Sequence, residues 1–159
     1  MTHDHLPRSV RWFGLAGTLP QILCLAAVLT APEWRWFALA AACSYAATIL
    51  AFLGGIWWMQ GLASGDMKPL PYALGIAAAL SAWAALLPWC LGWSWPGPAL
   101  IFLGVALLLS PRADRRLAER AAAERLAASR AWMRLRWVLS GILGSLTLTI
   151  GIAADVLKP

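Results

Sequence analysis

Charged residues are scarce in this chain of 159 residues, where they make up 13% of the total, roughly half of their share in soluble domains. No acidic, basic or histidine residue lies well inside any of the five long apolar runs, and Asp155 stands only at the end of the last run. Proton relays and ion paths through membranes depend on ionisable residues within the spans. The sequence therefore argues against a proton pump and against an intramembrane metalloprotease, which needs histidine and acidic ligands.

Histidine and cysteine are also rare, which limits metal and redox chemistry. Because His3 and His5 are the only histidines, haem b held between histidines of two helices is excluded. The segment His3-Asp4-His5 carries ligands that suit a transition metal, but a flexible terminus would have to be ordered to use them, so we expect a disordered tail. The cysteines have no short pairing distance and are interpreted as small apolar residues; they are Cys24, Cys43 and Cys90. We expect no metal, and no cofactor other than bound lipid.

Apolar sequence is abundant, and its runs have the length of membrane spans. About 20 helical residues cross a hydrocarbon core of about 30 Å, and 61% of the chain is hydrophobic. The chain is predicted to be an all-α integral membrane protein, a single membrane domain over 1–159 with five transmembrane helices. The predicted spans are residues 12–30, 36–59, 70–91, 95–110 and 137–156. The fourth is short and opens on two prolines, and the first lacks a small-residue cleavage site, so we expect it to be retained.

The basic residues predict the orientation of the five spans. Two lie before the first span, one is Lys68, and eight arginines lie between residues 112 and 136, so eleven of the 13 fall on one side. The positive-inside rule then places the N-terminus in the cytoplasm and the C-terminus outside. The net charge of +6 is explained by this distribution, so no nucleic-acid partner is expected. Eleven tryptophans agree with membrane interfaces, where this side chain is favoured.

The segment 111–136, between the fourth and fifth spans, is rich in alanine and arginine and is predicted to be a cytoplasmic amphipathic helix. Arg115 and Glu119 stand four residues apart, the spacing of an ion pair on one helix face. The segment could serve as a docking surface for protein or anionic lipid, or only as an orientation anchor. The candidate interface or docking residues here are Arg116, Arg120, Trp132, Arg134 and Arg136.

The second span carries a ridge of small residues that predicts close helix packing. Ala47, Ala51 and Gly55 are spaced by four, with Gly54 beside them, and such ridges let helix backbones approach in lipid. Gly55→Leu is therefore expected to disrupt the bundle or its assembly. The fifth span has a counterpart in Gly141, Gly144 and Ser145. The alternative is a small-walled site for a lipid, quinone or pigment tail.

Tryptophans and polar side chains give two further groups of candidates. Trp57 and Trp58 follow the glycine pair and are predicted to lie at the cytoplasmic headgroup level. Gln21 and Tyr45 cannot bond to their own helix as readily as serine or threonine, so they should face the bundle interior. Together with Trp83 they could form a polar pocket, or they could simply join helices by hydrogen bonds.

The stretch "YAATILAFLGGIWW", which contains Tyr45, Gly54, Gly55 and Trp58, resembles the signature of the DUF3429 family of small membrane proteins, which are transmembrane protein 69-like. The stretches "LAGTLP", "LSAWAALL", "DRRLA" and "WMRLRWVLS" resemble other parts of the family in the same order. The resemblance covers nearly the whole chain and implies a small multi-span membrane protein, but no established activity.

Three positions depart from the family pattern. Gln21 stands where the family is expected to have phenylalanine, and Trp57 and Met59 stand where it is expected to have histidine and glycine. If that histidine has a chemical role in the family, this chain cannot perform it.

These features together predict a protein that is not an enzyme. We expect a structural or accessory subunit, or an assembly factor, of a larger energy-transducing complex in the bacterial inner membrane. Its partners would be the lipid bilayer and other membrane subunits. The alternative is a binding or transport module for a small hydrophobic molecule, including a role like that of tryptophan-rich sensory proteins, whose paired-proline loop is poorly matched by "APEWRW".

Overall fold

The computed structural model describes residues 6–65, 68–92, 96–120 and 130–157, the side chain of Arg120 excepted. Within these ranges the chain is helical and contains no strand. The helices are α1 (Arg8–Ala16), α2 (Leu19–Thr30), α3 (Arg35–Ala63), α4 (Leu70–Ala84), α5 (Leu87–Cys90), α6 (Gly97–Arg120) and α7 (Arg130–Val156), with one 3-10 turn at Pro32–Trp34 before α3. The tail containing His3 and His5 lies outside the described residues.

Among the residues that the structure describes, five helical segments are long and apolar enough to cross a membrane, which agrees with the predicted number of spans and indicates a multi-pass membrane protein. The segments are Arg8–Thr30, Pro32–Ala63, Leu70–Cys90, Gly97–Glu119 and Arg130–Val156. Each is at least 21 residues long, which is enough for a hydrocarbon core of about 30 Å.

Two of the segments are interrupted, and proline follows each interruption. The first breaks at Gly17 and Thr18 before Pro20, and the third breaks between α4 and α5 before Pro88. Proline cannot donate the backbone hydrogen bond of a helix interior, but it is accepted in a first helical turn. A new helix therefore begins at each of these prolines.

The fourth segment behaves differently, because its helix does not end at residue 110, where the span is predicted to end. Helix α6 continues through Pro111 to Arg120. Pro111 has no N–H to offer the carbonyl of Leu107, four residues earlier. The Ser110 hydroxyl donates to that carbonyl at 2.8 Å, so the acceptor is satisfied and the helix continues.

A second serine, on the neighbouring helix, bonds to the Ser110 hydroxyl. Ser140 of α7 lies 3.1 Å from the Ser110 hydroxyl, oxygen to oxygen. Because the single Ser110 hydrogen is already donated to Leu107, Ser140 must be the donor in this pair. Serine side chains commonly satisfy backbone groups freed by proline in membrane helices.

The continuation of α6 also revises the predicted amphipathic loop helix. The described parts of the Arg-rich segment are the last turns of α6 and the first turns of α7, so its two described ends are continuous with the helices of the fourth and fifth spans. Leu117, on this extension of α6, is buried. Residues 121–129 lie outside the described part of the chain.

Helix α3 is the centre of the bundle and contacts α2, α4, α6 and α7. Helices α6 and α7 form the other extensive pair. The inward stripe of α3 includes Cys43, Ala46, Ala47, Leu50, Leu53, Gly54 and Trp57. Small residues dominate this stripe, so neighbouring backbones can approach closely.

The closest approach of α3 and α4 is at Gly54 and Gly75. A Cβ atom added at Gly54 would lie 2.5 Å from the Gly75 carbonyl oxygen, and one at Gly75 would lie 2.8 Å from the Gly54 carbonyl oxygen. Ala47 is buried on the same stripe and Ala51 is half-buried against the core. The prediction that Gly55 packs within the bundle is wrong: Gly55 is exposed, and outside its own helix backbone no heavy atom lies within 4 Å of a Cβ added there.

Helices α6 and α7 meet through a second reciprocal pair, Gly104 and Gly144. A Cβ at Gly104 would lie 3.0 Å from the Gly144 carbonyl oxygen, and one at Gly144 would lie 2.9 Å from that of Gly104. The predicted ridge of α7 needs correction at two positions. Ser145 is exposed, and a Cβ at Gly141 would meet nothing within 4 Å. The contact face of α7 runs instead through Gly144 and Gly151, which is seven residues further on.

Candidate functional site

One end of the bundle, here called the basic end, carries most of the exposed arginines. It contains the start of α1, the ends of α3 and α6, and the starts of α4 and α7. Its exposed arginines are Arg8, Arg11, Arg112, Arg115, Arg116, Arg130 and Arg134. The predicted pair of Arg115 and Glu119 is confirmed at 2.8 Å, and both side chains are exposed.

A buried ion pair lies below these exposed charges, between α6 and α7. Asp114 is 3% exposed and Arg136 is 7% exposed. The Arg136 Nε donates to Asp114 Oδ2 at 2.8 Å, and Nη2 lies 2.8 Å from the same oxygen. Nη2 makes a charge contact there, although it has no well-aligned acceptor among the described residues.

The other oxygen of Asp114 is held by α3. The Trp57 indole N–H donates to Asp114 Oδ1 at 2.7 Å, and Trp57 is buried. Three helices thus meet at one carboxylate whose two oxygens are both occupied. Hydrogen bonds to a charged group in a low-dielectric interior are stronger than those in water, so this centre fixes the spacing of α3, α6 and α7.

Two interface predictions are therefore wrong. Trp57 does not lie at the headgroup surface, because the Asp114 carboxylate inside the bundle provides the acceptor that its N–H requires. Arg136 is not a docking residue, because the same carboxylate compensates its charge inside. Trp58 remains at the surface, 38% exposed, and meets Tyr72 edge to face with ring centroids 5.3 Å apart.

The remaining docking candidates occupy different environments. Arg116 and Arg134 are exposed on α6 and α7, and Trp132 is half-buried and engaged in a contact. The side chain of Arg120 lies outside the described part of the structure.

A second polar contact joins α2, α3 and α7 away from the basic end. Gln21 is fully buried, and its Nε2 donates to Thr147 Oγ1 at 2.7 Å and to the Ala42 carbonyl at 3.3 Å. Thr147 donates in turn to the Leu143 carbonyl at 2.7 Å. Gln21 Oε1 is buried without a partner among the described residues.

Tyr45 lies inside the bundle but belongs to a separate contact. Its hydroxyl donates to the Gly17 carbonyl, which is freed at the break between α1 and α2. Trp83 does not join either group, because it is 60% exposed on α4. The predicted pocket of Gln21, Tyr45 and Trp83 is therefore not formed as a unit.

The Gln21–Thr147 contact gives a prediction for a double-mutant cycle. Thr147→Val removes the acceptor at 2.7 Å, and Gln21→Leu removes the donor together with its unpartnered oxygen. We expect a coupling free energy of about 0.6 kcal/mol, and no more than about 1.7 kcal/mol, as for other interhelical hydrogen bonds in membranes. Unfolding of the four proteins in mixed micelles measures it. A coupling indistinguishable from zero would show that the two side chains do not depend on each other.

Asp114 and Thr147 are the site residues that sequence reasoning missed. The sequence places Asp114 in the predicted cytoplasmic helix over 111–136, outside the spans, and the Ser-Pro pair at 110 and 111 is the available signal that the fourth helix continues. Thr147 donates within its own helix, as threonine readily does, and it also accepts from Gln21.

The polar centre formed by Asp114, Arg136 and Trp57 connects three helices, and its polar atoms are bonded to one another. Asp114 and Arg136 compensate each other's charge, and both carboxylate oxygens already accept hydrogen bonds. Among the residues that the structure describes, no three histidine, cysteine, aspartate or glutamate side chains gather as a metal-binding group.

Comparison with protein families gives a match over most of the chain. The model of a family described as "Protein of unknown function (DUF3429)" matches residues 6–152, which is nearly the whole chain. Comparison with curated proteins and with solved structures gives no match.

Proposed function

The chain belongs to the DUF3429 family, whose function is unknown, and we propose that it is a non-catalytic accessory subunit or assembly factor of a larger membrane complex. Its place would be the bacterial inner membrane, in an energy-transducing assembly. The basic end would face the cytoplasm, as the positive-inside rule requires for a concentration of arginines at one end.

The observation that carries this proposal is that the polar groups inside the bundle bond to one another across helices. Ionisable residues within a membrane bundle usually mark a functional path. Here Asp114 is bonded at both oxygens by Trp57 and Arg136, and Gln21 is bonded to Thr147. Groups committed to holding helices together are not free to bind or transform a substrate, which favours a role through the outer surfaces.

Two outer surfaces are available for association. The peripheral helices α1, α2 and α4 expose large apolar side chains, including Trp12, Phe13 and Trp83. These faces can contact lipid or the helices of other subunits. At the basic end, Arg116 and Arg134 are exposed on α6 and α7 and suit an acidic partner surface.

The test is native purification from membranes with a matched pair of charge variants. We expect the unaltered chain to co-purify with other membrane subunits in mild detergent. Arg116→Gln with Arg134→Gln should weaken that association, because rim charges guide and orient partners. Arg8→Gln with Arg11→Gln is the control, because it removes the same charge from α1. It should weaken the association less. Migration of the unaltered chain alone, at the size of a monomer or small oligomer, would contradict the proposal.

One observation favours the second candidate, a module that binds a small hydrophobic molecule. Gln21 Oε1 is buried without a partner among the described residues, and a buried acceptor of this kind is usually satisfied by a ligand or water. A ligand with an apolar body and one hydroxyl donor would suit it. Mass spectrometry of extracts from the purified protein decides between the two candidates, since the accessory role requires no stoichiometric hydrophobic ligand at Gln21.

A further inference from the structure

A groove of about 380 Å³ lies at the basic end, between the last turns of α6 and the first turns of α7. It is open to the surface and combines charged and apolar side chains. Its lining residues are Arg115, Ala118, Glu119, Arg130, Met133 and Trp137. The buried pair of Asp114 and Arg136 is not part of this lining, so the groove is separate from that ion pair.

The charge around the groove is predominantly positive. Arg115 and Arg130 line it, and the guanidinium of Arg112, which is outside the lining, lies 6.0 Å from the centroid of the Trp137 ring. Glu119 is the single acidic residue among the described residues that line the groove, and it is engaged by Arg115 at 2.8 Å. Guanidinium groups bind phosphate oxygens through charge-assisted hydrogen bonds, so the groove is complementary to a phosphate group.

The apolar part of the groove points to the source of that phosphate. Ala118 and Met133 line it beside Trp137, and Val138 continues the exposed apolar surface from Trp137 along α7. Tryptophan favours the headgroup level of a bilayer. A phosphate group bound here would therefore have an apolar surface next to it that runs toward the spans.

We propose that this groove binds the headgroup of an anionic phospholipid. The phosphate lies between Arg115 and Arg130, and the upper acyl chain rests against Met133, Trp137 and Val138. Arg112 contacts the Trp137 ring through a cation–π interaction. Binding of lipid at this groove does not depend on a protein partner, so it stands or falls separately from the accessory role.

Glu119 gives the proposal a variant that should act in the opposite direction. In the free groove it occupies Arg115 in an exposed ion pair, and it repels an approaching phosphate. Glu119→Gln should therefore increase the retention of anionic lipid, whereas Arg130→Gln should decrease it. Both side chains are exposed or paired only at the surface, so neither change should affect folding.

The experiment uses the purified full-length chain in detergent with phosphatidylglycerol and phosphatidylcholine of the same acyl chains, and native mass spectrometry counts the retained lipid. We expect a preference for phosphatidylglycerol that falls about fivefold in Arg130→Gln and in Arg115→Gln, the effect of one arginine near a membrane surface. Arg116→Gln is the matched control, because it removes one exposed arginine from the same helix end outside the lining. It should leave the preference unchanged.

Several outcomes would overturn the proposal. Equal retention of both lipids would show that the groove does not recognise the anionic headgroup, and an equal loss in Arg116→Gln would show only a general charge effect. Displacement of phosphatidylglycerol by glycerol phosphate at equal concentration would assign the groove to a soluble phosphate ester. Displacement by an acidic peptide at equal concentration would assign it to a protein partner.

Discussion

Asp114→Ala is expected to destabilise the protein by about 3–5 kcal/mol, because removing one partner of a buried ion pair leaves the other charge uncompensated. Arg136 is 7% exposed and has its only ion-pair contact within the described residues at Asp114. The indole N–H of Trp57 would lose its acceptor as well. The measurement is the free energy of unfolding in mixed micelles, together with the amount of protein that accumulates in membranes.

Glu119→Ala is the matched control for this prediction. Glu119 is also a carboxylate on α6 that pairs with arginine at 2.8 Å, but its side chain is 60% exposed. Exposed pairs four residues apart on a helix contribute about 0.3–0.5 kcal/mol. If Asp114→Ala lowers the free energy of unfolding no more than Glu119→Ala does, the buried pair does not hold the helices together.

The double variant Asp114→Leu with Arg136→Met separates the charge from the packing. Replacing a buried ion pair by apolar residues of similar volume is often neutral or stabilising. We therefore expect the double variant to recover most of the stability that Asp114→Ala loses. Trp57 would still lack an acceptor, so an unpaired indole donor, costing about 1–3 kcal/mol, sets the limit of the recovery.

Gly54→Leu is the second change with a large expected effect. A Cβ at this position would lie 2.5 Å from the Gly75 carbonyl oxygen and 3.1 Å from the Ala78 Cβ. Both neighbours belong to α4, and a backbone carbonyl cannot move aside as a side chain can. We expect a cost of at least about 3 kcal/mol, the upper end of the usual range for overpacked cores, and separation of α4 from α3.

The adjacent glycine provides an unusually close control. Gly55→Leu makes the same chemical change one residue later on the same helix, where no heavy atom lies within 4 Å of the new Cβ. Both variants gain the same helix propensity relative to glycine, so their difference reports packing alone. We expect the free energy of unfolding of Gly55→Leu to lie within about 0.5 kcal/mol of that of the unaltered chain. Equal behaviour of the two variants would contradict the placement of α3 against α4.

The sequence predicts the spans better than it predicts which face of each span turns inward. Apolar runs are local, so the number of membrane helices could be read directly. The choice between Gly54 and Gly55 depends on the rotation of α3 about its axis, and an almost uniformly apolar helix has no polar face to fix that rotation. The contacts with the neighbouring helices decide it, including that of Gly54 with Gly75 on α4.

The candidate site was harder to predict for a related reason. Asp114, Arg136 and Trp57 are far apart in the chain, and each has an ordinary role at a membrane surface when considered alone. Their meeting depends on α6 continuing past Pro111, which in turn depends on a hydroxyl of Ser110 that donates to Leu107. A local hydrogen bond therefore decides whether an acidic residue belongs to a loop or to the bundle.

The central claim is that the buried polar groups hold the bundle together and that the protein works through its outer surfaces. The most direct test is co-purification of partner subunits with the double variant Asp114→Leu and Arg136→Met, beside the unaltered chain. If the ion pair serves only to hold the helices together, the double variant accumulates and retains its partners to the same extent. Loss of the partners in a double variant that still accumulates in membranes as a folded protein would contradict the account and make the charged pair a functional centre.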